Sequence, residues 1–165
     1  MPLLLLIRHG ENDFVKTGKL PGQIDGIHLN ERGQKQAQAL GDALKEVPIK
    51  AIYSSPLERA METAEPIAKA RNLSTIPEPD LRDADVGKWQ GKSIKSLRLT
   101  NAWKVVQHSP SRFTFPEGES FPGVQTRITN ALERIARTHN KPKDIVAVVF
   151  QADPIKLAVA HFLGL

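Results

Sequence analysis

Two stretches of this chain are apolar at every position, residues 3–7 (Leu-Leu-Leu-Leu-Ile) and Ile145–Phe150 (Ile-Val-Ala-Val-Val-Phe). A strand with one wet face alternates apolar and polar residues, so an unbroken run predicts a strand covered on both faces. Shorter runs at 51–53 and 74–76 supply two further strands. Between these the spacing turns helical. Asn30 is a good N-cap, after which Ala37, Leu40 and Leu44 share one face as far as Pro48, and Glu31, Lys35, Asp42 and Lys45 share the other. Ser55-Pro56-Leu57-Glu58 combines a capping serine, a first-turn proline and a glutamate three residues after the cap; Ala60, Ala64, Ile67 and Ala68 mark that helix's buried side. Val124, Ile128, Leu132 and Ile135 predict a helix over 124–138. A last helix is predicted to open at Asp153-Pro154, with Ile155, Val159 and Phe162 at helical spacing. Strands alternating with helices predict an α/β fold: a three-layer αβα sandwich around a mostly parallel central sheet.

Residues 79–123 interrupt this rhythm with Pro79, Gly87, Gly91, Pro110, Pro116, Gly118, Pro122 and Gly123. They predict a lid-like excursion over the sheet, with a helical segment near 93–107. No internal repeat or linker divides the chain, so residues 1–165 are expected to form a single domain. At 18.2 kDa a chain buries roughly 70% of the surface exposed when unfolded, enough for one sizeable core.

Composition narrows the function. There is no cysteine, so neither a disulfide framework nor thiolate chemistry is available. No apolar stretch approaches the roughly 20 residues that cross a bilayer, which predicts no membrane partner and a cytoplasmic location. The net charge of +5 is uneven: residues 1–85 carry 11 Lys/Arg against 13 Asp/Glu, and residues 86–165 carry 12 against 5. The cations of the second half (Lys88, Lys92, Lys95, Arg98, Lys104, Arg112) are scattered, without a dense run or interleaved aromatics, so no nucleic-acid partner is expected. The basic stretch 92–112 offers instead a rim for a multiply anionic substrate.

Candidate chemistry begins where the first strand ends. In an open α/β sheet ligands bind beyond the carboxyl ends of the strands, which is where Arg8 and His9 emerge. Ser55 to Ala64 follows the second predicted strand and puts Arg59 in the first turn of its helix, where backbone N–H groups and the helix dipole favour an anion. A guanidinium there adds a two-pronged hydrogen-bond donor.

The R-H-G-E-N strand exit, the S-S-P-L-x-R-A-x-x-T-A element and Leu81-Arg82-Asp83-Ala84-Asp85-Val86-Gly87-Lys88-Trp89-Gln90-Gly91 occur in the order seen in the histidine phosphatase (phosphoglycerate mutase-like) superfamily. Pro116-Glu117-Gly118-Glu119-Ser120 resembles its P-x-G-E-S turn, and Gly22, Leu29, Gly33 and Gln36-Ala37 match the segment after the first motif. The resemblance spans the chain. It implies a small phosphorylated substrate and a phosphomonoester hydrolase or mutase-like phosphotransferase that needs no cofactor or metal. It further implies His9 as phosphoacceptor, Arg8 and Arg59 as a phosphate clamp, and Asp83 as the acid, with Asp85 and Glu11 as alternatives.

Several positions depart from the pattern. Gln151 stands where a second catalytic histidine is expected after the last strand; its amide can still bind phosphate but cannot become a cation. Such a loss commonly costs about 10²–10³ in rate. Gln151 is thus either an introduced replacement or a natural change, and in the latter case the alternative is a catalytically impaired phosphate-ligand binding or regulatory homologue. His108 and His161 lie too far from a strand exit to substitute. Asp83 stands where many members carry glutamate, Gln90 where a W-E-G glutamate is frequent, and Val15 where some branches place an asparagine. A mutase must enclose its intermediate, and the modest excursion favours phosphatase. Relatives generally continue into another strand beyond the last helix, so the expectation is either a disordered or removed tail after Leu165 or a shorter chain whose unpaired sheet edge favours association, a homodimer included.

Overall fold

The apolar runs form one parallel sheet: β1 (Leu3–Arg8), β2 (Ile49–Ser54), β3 (Thr75–Pro77) and β4 (Ile145–Phe150), in spatial order β1-β4-β2-β3. The computed structural model describes residues 1–165. Between the strands run α1 (Asp13–Thr17), α2 (Glu31–Ala43), α3 (Glu58–Lys69), α4 (Ile94–Leu97), α5 (Asn101–His108), α6 (Phe121–Thr138) and α7 (Ala152–Leu163). None is long and apolar enough to cross a membrane.

Strand β4 shows why an unbroken apolar run was needed. Its alternate side chains enter two cores: Ala147 and Val149 join Ile52 and the small face of α3 (Ala60, Ala64, Ile67), while Val146, Val148 and Phe150 meet Val124, Ile128 and Leu132 of α6. Fully burying a Val, Leu, Ile or Phe side chain contributes roughly 1.5–3 kcal/mol, so both faces select for them. Helices on both faces of a parallel sheet make the αβα sandwich that the sequence predicts.

The other long run behaves differently. Leu4 and Leu6 pack toward one core and Leu5 and Ile7 toward the other, yet all four are only half-buried and Leu3 is 55% exposed. The physical reason is position: β1 pairs with β4 alone and forms the sheet edge. An apolar run reports covered faces, not a covered edge.

Helix starts needed two corrections. Leu57, not Ser55, takes the N-cap position of α3, without a side-chain cap bond; Gln151, not Asp153, takes that of α7. Only β4 hands over to its helix at once, since three residues separate the end of β2 from α3. Asn30 does cap α2, accepting from the Gly33 N–H at 2.9 Å. The segment predicted near 93–107 is broken into α4 and α5, because the Thr100 side chain caps a new helix at Asn101. Short α1, capped by Asn12, was not predicted.

The excursion packs into the larger core through Leu81, Val86, Trp89, Leu97, Phe113 and Phe115. Two turns within it touch backbone to backbone: a Cβ on Gly87, whose φ is +49°, would lie 2.1 Å from the Pro116 carbonyl oxygen. A Cβ on Gly33 would lie 2.0 Å from the Glu11 carbonyl oxygen, so glycine there lets α2 press against the β1 exit.

Candidate active site

His9 leaves the end of β1 with its backbone N–H bonded to the Phe150 carbonyl at 3.0 Å. Its imidazole is 7% exposed, and Nδ1 lies 2.7 Å from the Gly10 carbonyl oxygen. A carbonyl can only accept, so Nδ1 carries the proton and Nε2 keeps its lone pair. Burial, with smaller contributions from the Arg59 and Arg8 charges, lowers the His9 pKa to about 4 against the opposing pull of Gly10. The ring is therefore neutral across the physiological range.

Arg8, His9, Asp83 and Gln151 line one cavity of about 300 Å³. Arg59 does not line it. Its guanidinium is wholly buried, donating from Nη2 to the Gly22 carbonyl at 2.7 Å and from Nη1 to the Ile24 carbonyl at 3.4 Å, with Asp83 Oδ2 3.5 Å away. Its Nε–H has no partner. Thr63 Oγ1 accepts from the Gly10 N–H at 3.0 Å and donates to the Arg59 carbonyl at 2.7 Å, tying the β1 exit to the first turn of α3.

The Asp83 side chain is 16% exposed and accepts from the Ala84 N–H at 2.9 Å. Burial raises its pKa to about 7; Arg59 opposes the rise and Asp153 adds to it. Near neutrality this carboxyl is half protonated. The two alternatives are otherwise engaged. Asp85 Oδ1 accepts from the Gly87 N–H at 2.9 Å, and Glu11 accepts from Asn30 at 3.1 Å and faces Arg32 at 3.5 Å. Neither lines the cavity that Asp83 shares with His9.

Gln151 is 1% exposed, with Nε2 donating to Ser55 Oγ at 3.1 Å and Oε1 unpartnered. His108 and His161 are exposed on α5 and α7, away from this cavity.

The sequence profile of the histidine phosphatase superfamily (branch 1) matches residues 4–165. The chain belongs to that superfamily. It is 32% identical to phosphoserine phosphatase 1 of Hydrogenobacter thermophilus, over 99% of this chain and 77% of that protein. Identity is also 32% to the 2,3-bisphosphoglycerate-dependent phosphoglycerate mutase of Thermoplasma acidophilum, with the same coverage of each chain. The solved structure of Bacillus stearothermophilus YhfR superposes with a TM-score of 0.89 at 31% identity, over 98% of this chain and 79% of that one.

Against the histidine phosphatase pattern, three features of the site escaped sequence reading. Gln90 Oε1 accepts from the Gln23 N–H at 2.9 Å and so fixes the loop whose Gly22 and Ile24 carbonyls hold Arg59. Asp153 lines the cavity and pairs with Lys156 at 2.9 Å. Third, stretch 92–112 turns Ile94, Trp103 and Val106 to the cavity, while Lys92, Lys95, Arg98, Lys104 and Arg112 stay outside its lining. The expected basic rim is an apolar wall. Its signal was available, since five of the nine aromatic residues fall between 89 and 121.

Proposed function

We propose that this histidine phosphatase homologue is a phosphomonoesterase acting through a phosphohistidine on His9. The observation that carries the reading is the His9 tautomer: an unprotonated Nε2 in a cavity that also holds Arg8 and a protonatable Asp83. Nε2 attacks phosphorus, the P–O bond to the alcohol breaks, and Asp83 gives its proton to the departing oxygen. The Asp83 carboxylate then takes a proton from water, whose oxygen attacks phosphorus and breaks the P–N bond, so that phosphate leaves and both groups are restored. Arg8 faces the transferring group directly. Arg59 acts from behind, its buried charge favouring an anion in the cavity. The neutral, fixed amide of Gln151 supplies no cation at a position where the family has one, so slow turnover is expected. The modest excursion favours hydrolysis over mutase chemistry.

Hydrolysis of an aryl phosphate by this chain and by Gln151→His is the direct measurement, with acid-labile phosphate sought on His9. Gln151→His is expected to gain about 10²-fold in kcat, and His9→Ala to abolish labelling. If neither protein turns over and no label appears, the enzymatic reading fails. The second reading, a phosphate-ligand binding homologue, is favoured by the neutral Gln151 amide, which keeps one N–H for a ligand beside its bond to Ser55 but cannot supply a cation; it predicts saturable phosphate binding to this chain without turnover.

A further inference from the structure

Besides Arg8, His9 and Asp83, the cavity has an apolar lining that includes Ile94, Trp103, Val106, Trp89, Phe115 and Phe121. The aromatic members form one packed group. Trp89 and Trp103 stack with centroids 6.0 Å apart and planes at 22°, and Phe115 meets Trp89 edge-on at 5.5 Å and Phe121 at 5.2 Å. Trp89 and Phe115 are buried, and Trp103, Val106 and Phe121 are half-buried.

Charge points the same way. Besides Arg8, the cavity's only cations are Lys19 and Lys156, both exposed, and Lys156 is paired to Asp153. Two carboxyl groups, Asp83 and Asp153, face the same space. A carboxylate on the alcohol part of a substrate would lose its water against apolar walls, and beyond the phosphate-facing Arg8 and the Lys156 paired to Asp153 the lining offers it only the exposed Lys19. An apolar ring would lose only unfavourable hydration and gain edge and face contacts with the tryptophans.

Resting on His9 as the phosphoacceptor, we propose that the site takes phosphomonoesters of apolar, aromatic-sized alcohols and discriminates against esters carrying a carboxylate beside the phosphate. Trp103 and Val106 determine this preference from one face of α5, and the phosphate end is common to all substrates.

Comparing 2-phenylethyl phosphate with phosphoserine and 3-phosphoglycerate tests it, because all three are esters of primary alcohols and the polar substituents of the latter two make them, if anything, the better leaving groups. The kcat/KM for 2-phenylethyl phosphate is expected to exceed the others by at least about tenfold, the scale on which an apolar pocket discriminates. Trp103→Ala is expected to shrink that ratio and Val106→Arg to swing it toward phosphoserine. Calorimetric binding of 3-phenylpropylphosphonate against 2-amino-4-phosphonobutanoate reads the same preference without turnover. If phosphoserine or 3-phosphoglycerate matches the phenylethyl ester, or the amino acid phosphonate binds as well as the aryl one, the selectivity is overturned and the phosphatase reading stands. If the aryl phosphonate is preferred while no ester is hydrolysed, the selectivity stands and the catalytic reading falls.

Discussion

In the proposed mechanism a histidine and an aspartate set the working pH in opposite directions. There His9 attacks as the neutral ring, and burial lowers its pKa to about 4; Asp83 releases the alcohol as the acid, and burial raises its pKa to about 7. The kcat/KM profile is therefore expected to be bell-shaped, flat between about pH 4 and 7, and to lose its alkaline limb in Asp83→Asn together with most of its height. Stability follows the same two groups with opposite signs. The lowered His9 pKa contributes stability that is present above 6.5 and lost as pH falls toward 4. The raised Asp83 pKa makes the folded chain bind more protons than the unfolded one between 3.8 and about 7, so its contribution is full below 3.8 and lost as pH rises. Asp83→Asn is accordingly expected to unfold at higher denaturant at pH 7, by about 1–3 kcal/mol, while losing activity. An Asn variant no more stable than the parent at pH 7 contradicts a strained, buried carboxylate.

At the scale of elements, Asp83 owes its place to α6. Arg127 donates to Glu119 from Nε at 2.9 Å and Nη2 at 2.7 Å, and reaches the Asp80, Arg82 and Asp83 carbonyls at 2.8, 3.0 and 3.2 Å. Glu119 in turn accepts from the Asp85 N–H at 2.9 Å. One planar guanidinium thus fastens the loop carrying Asp83 to a helix anchored in the larger core. Arg127→Met is expected to lower kcat by about 10–100-fold with little change in KM, shift the alkaline limb of the pH profile, and cost about 1–3 kcal/mol for carbonyls left unpaired. Arg127→Lys should not restore kcat, since an ammonium cannot form the same fork. A variant whose only defect is in KM would remove Arg127 from this positioning role.

On the whole molecule, the sandwich has an apolar side at β1 and α7. β1 is an edge strand with Leu3 exposed, and α7, which packs on it, presents Val159 at 42%, Phe162 at 54% and Leu163 at 68% exposure. The superfamily members compared are longer, and this chain spans 77–79% of them. An unpaired edge beside apolar side chains promotes association. Phe162→Lys is expected to reduce light scattering on heating while changing stability by less than about 0.5 kcal/mol and leaving kcat/KM alone, as an exposed residue outside the site should. Equal scattering in the variant and parent would clear α7 of this role.

The sequence by itself determined the αβα sandwich, because burial on two faces, helical spacing and strand-end motifs each leave a local pattern. β4, α2 and the exits carrying Arg8, His9 and Arg59 were all legible in this way. At the exits of β2 and β4, Ser55 and Asp153 misled, since a capping residue signals a start without fixing which residue begins it. Only the tertiary structure decided that β1 is an edge, that Arg59 stands behind the cavity, that Asp83 alone of three acids shares it with His9, and that the basic stretch turns an apolar face inward. Those outcomes depend on which distant segments meet, and on burial that shifts two pKa values toward each other's ordinary range. Neither is encoded in the neighbours of any one residue.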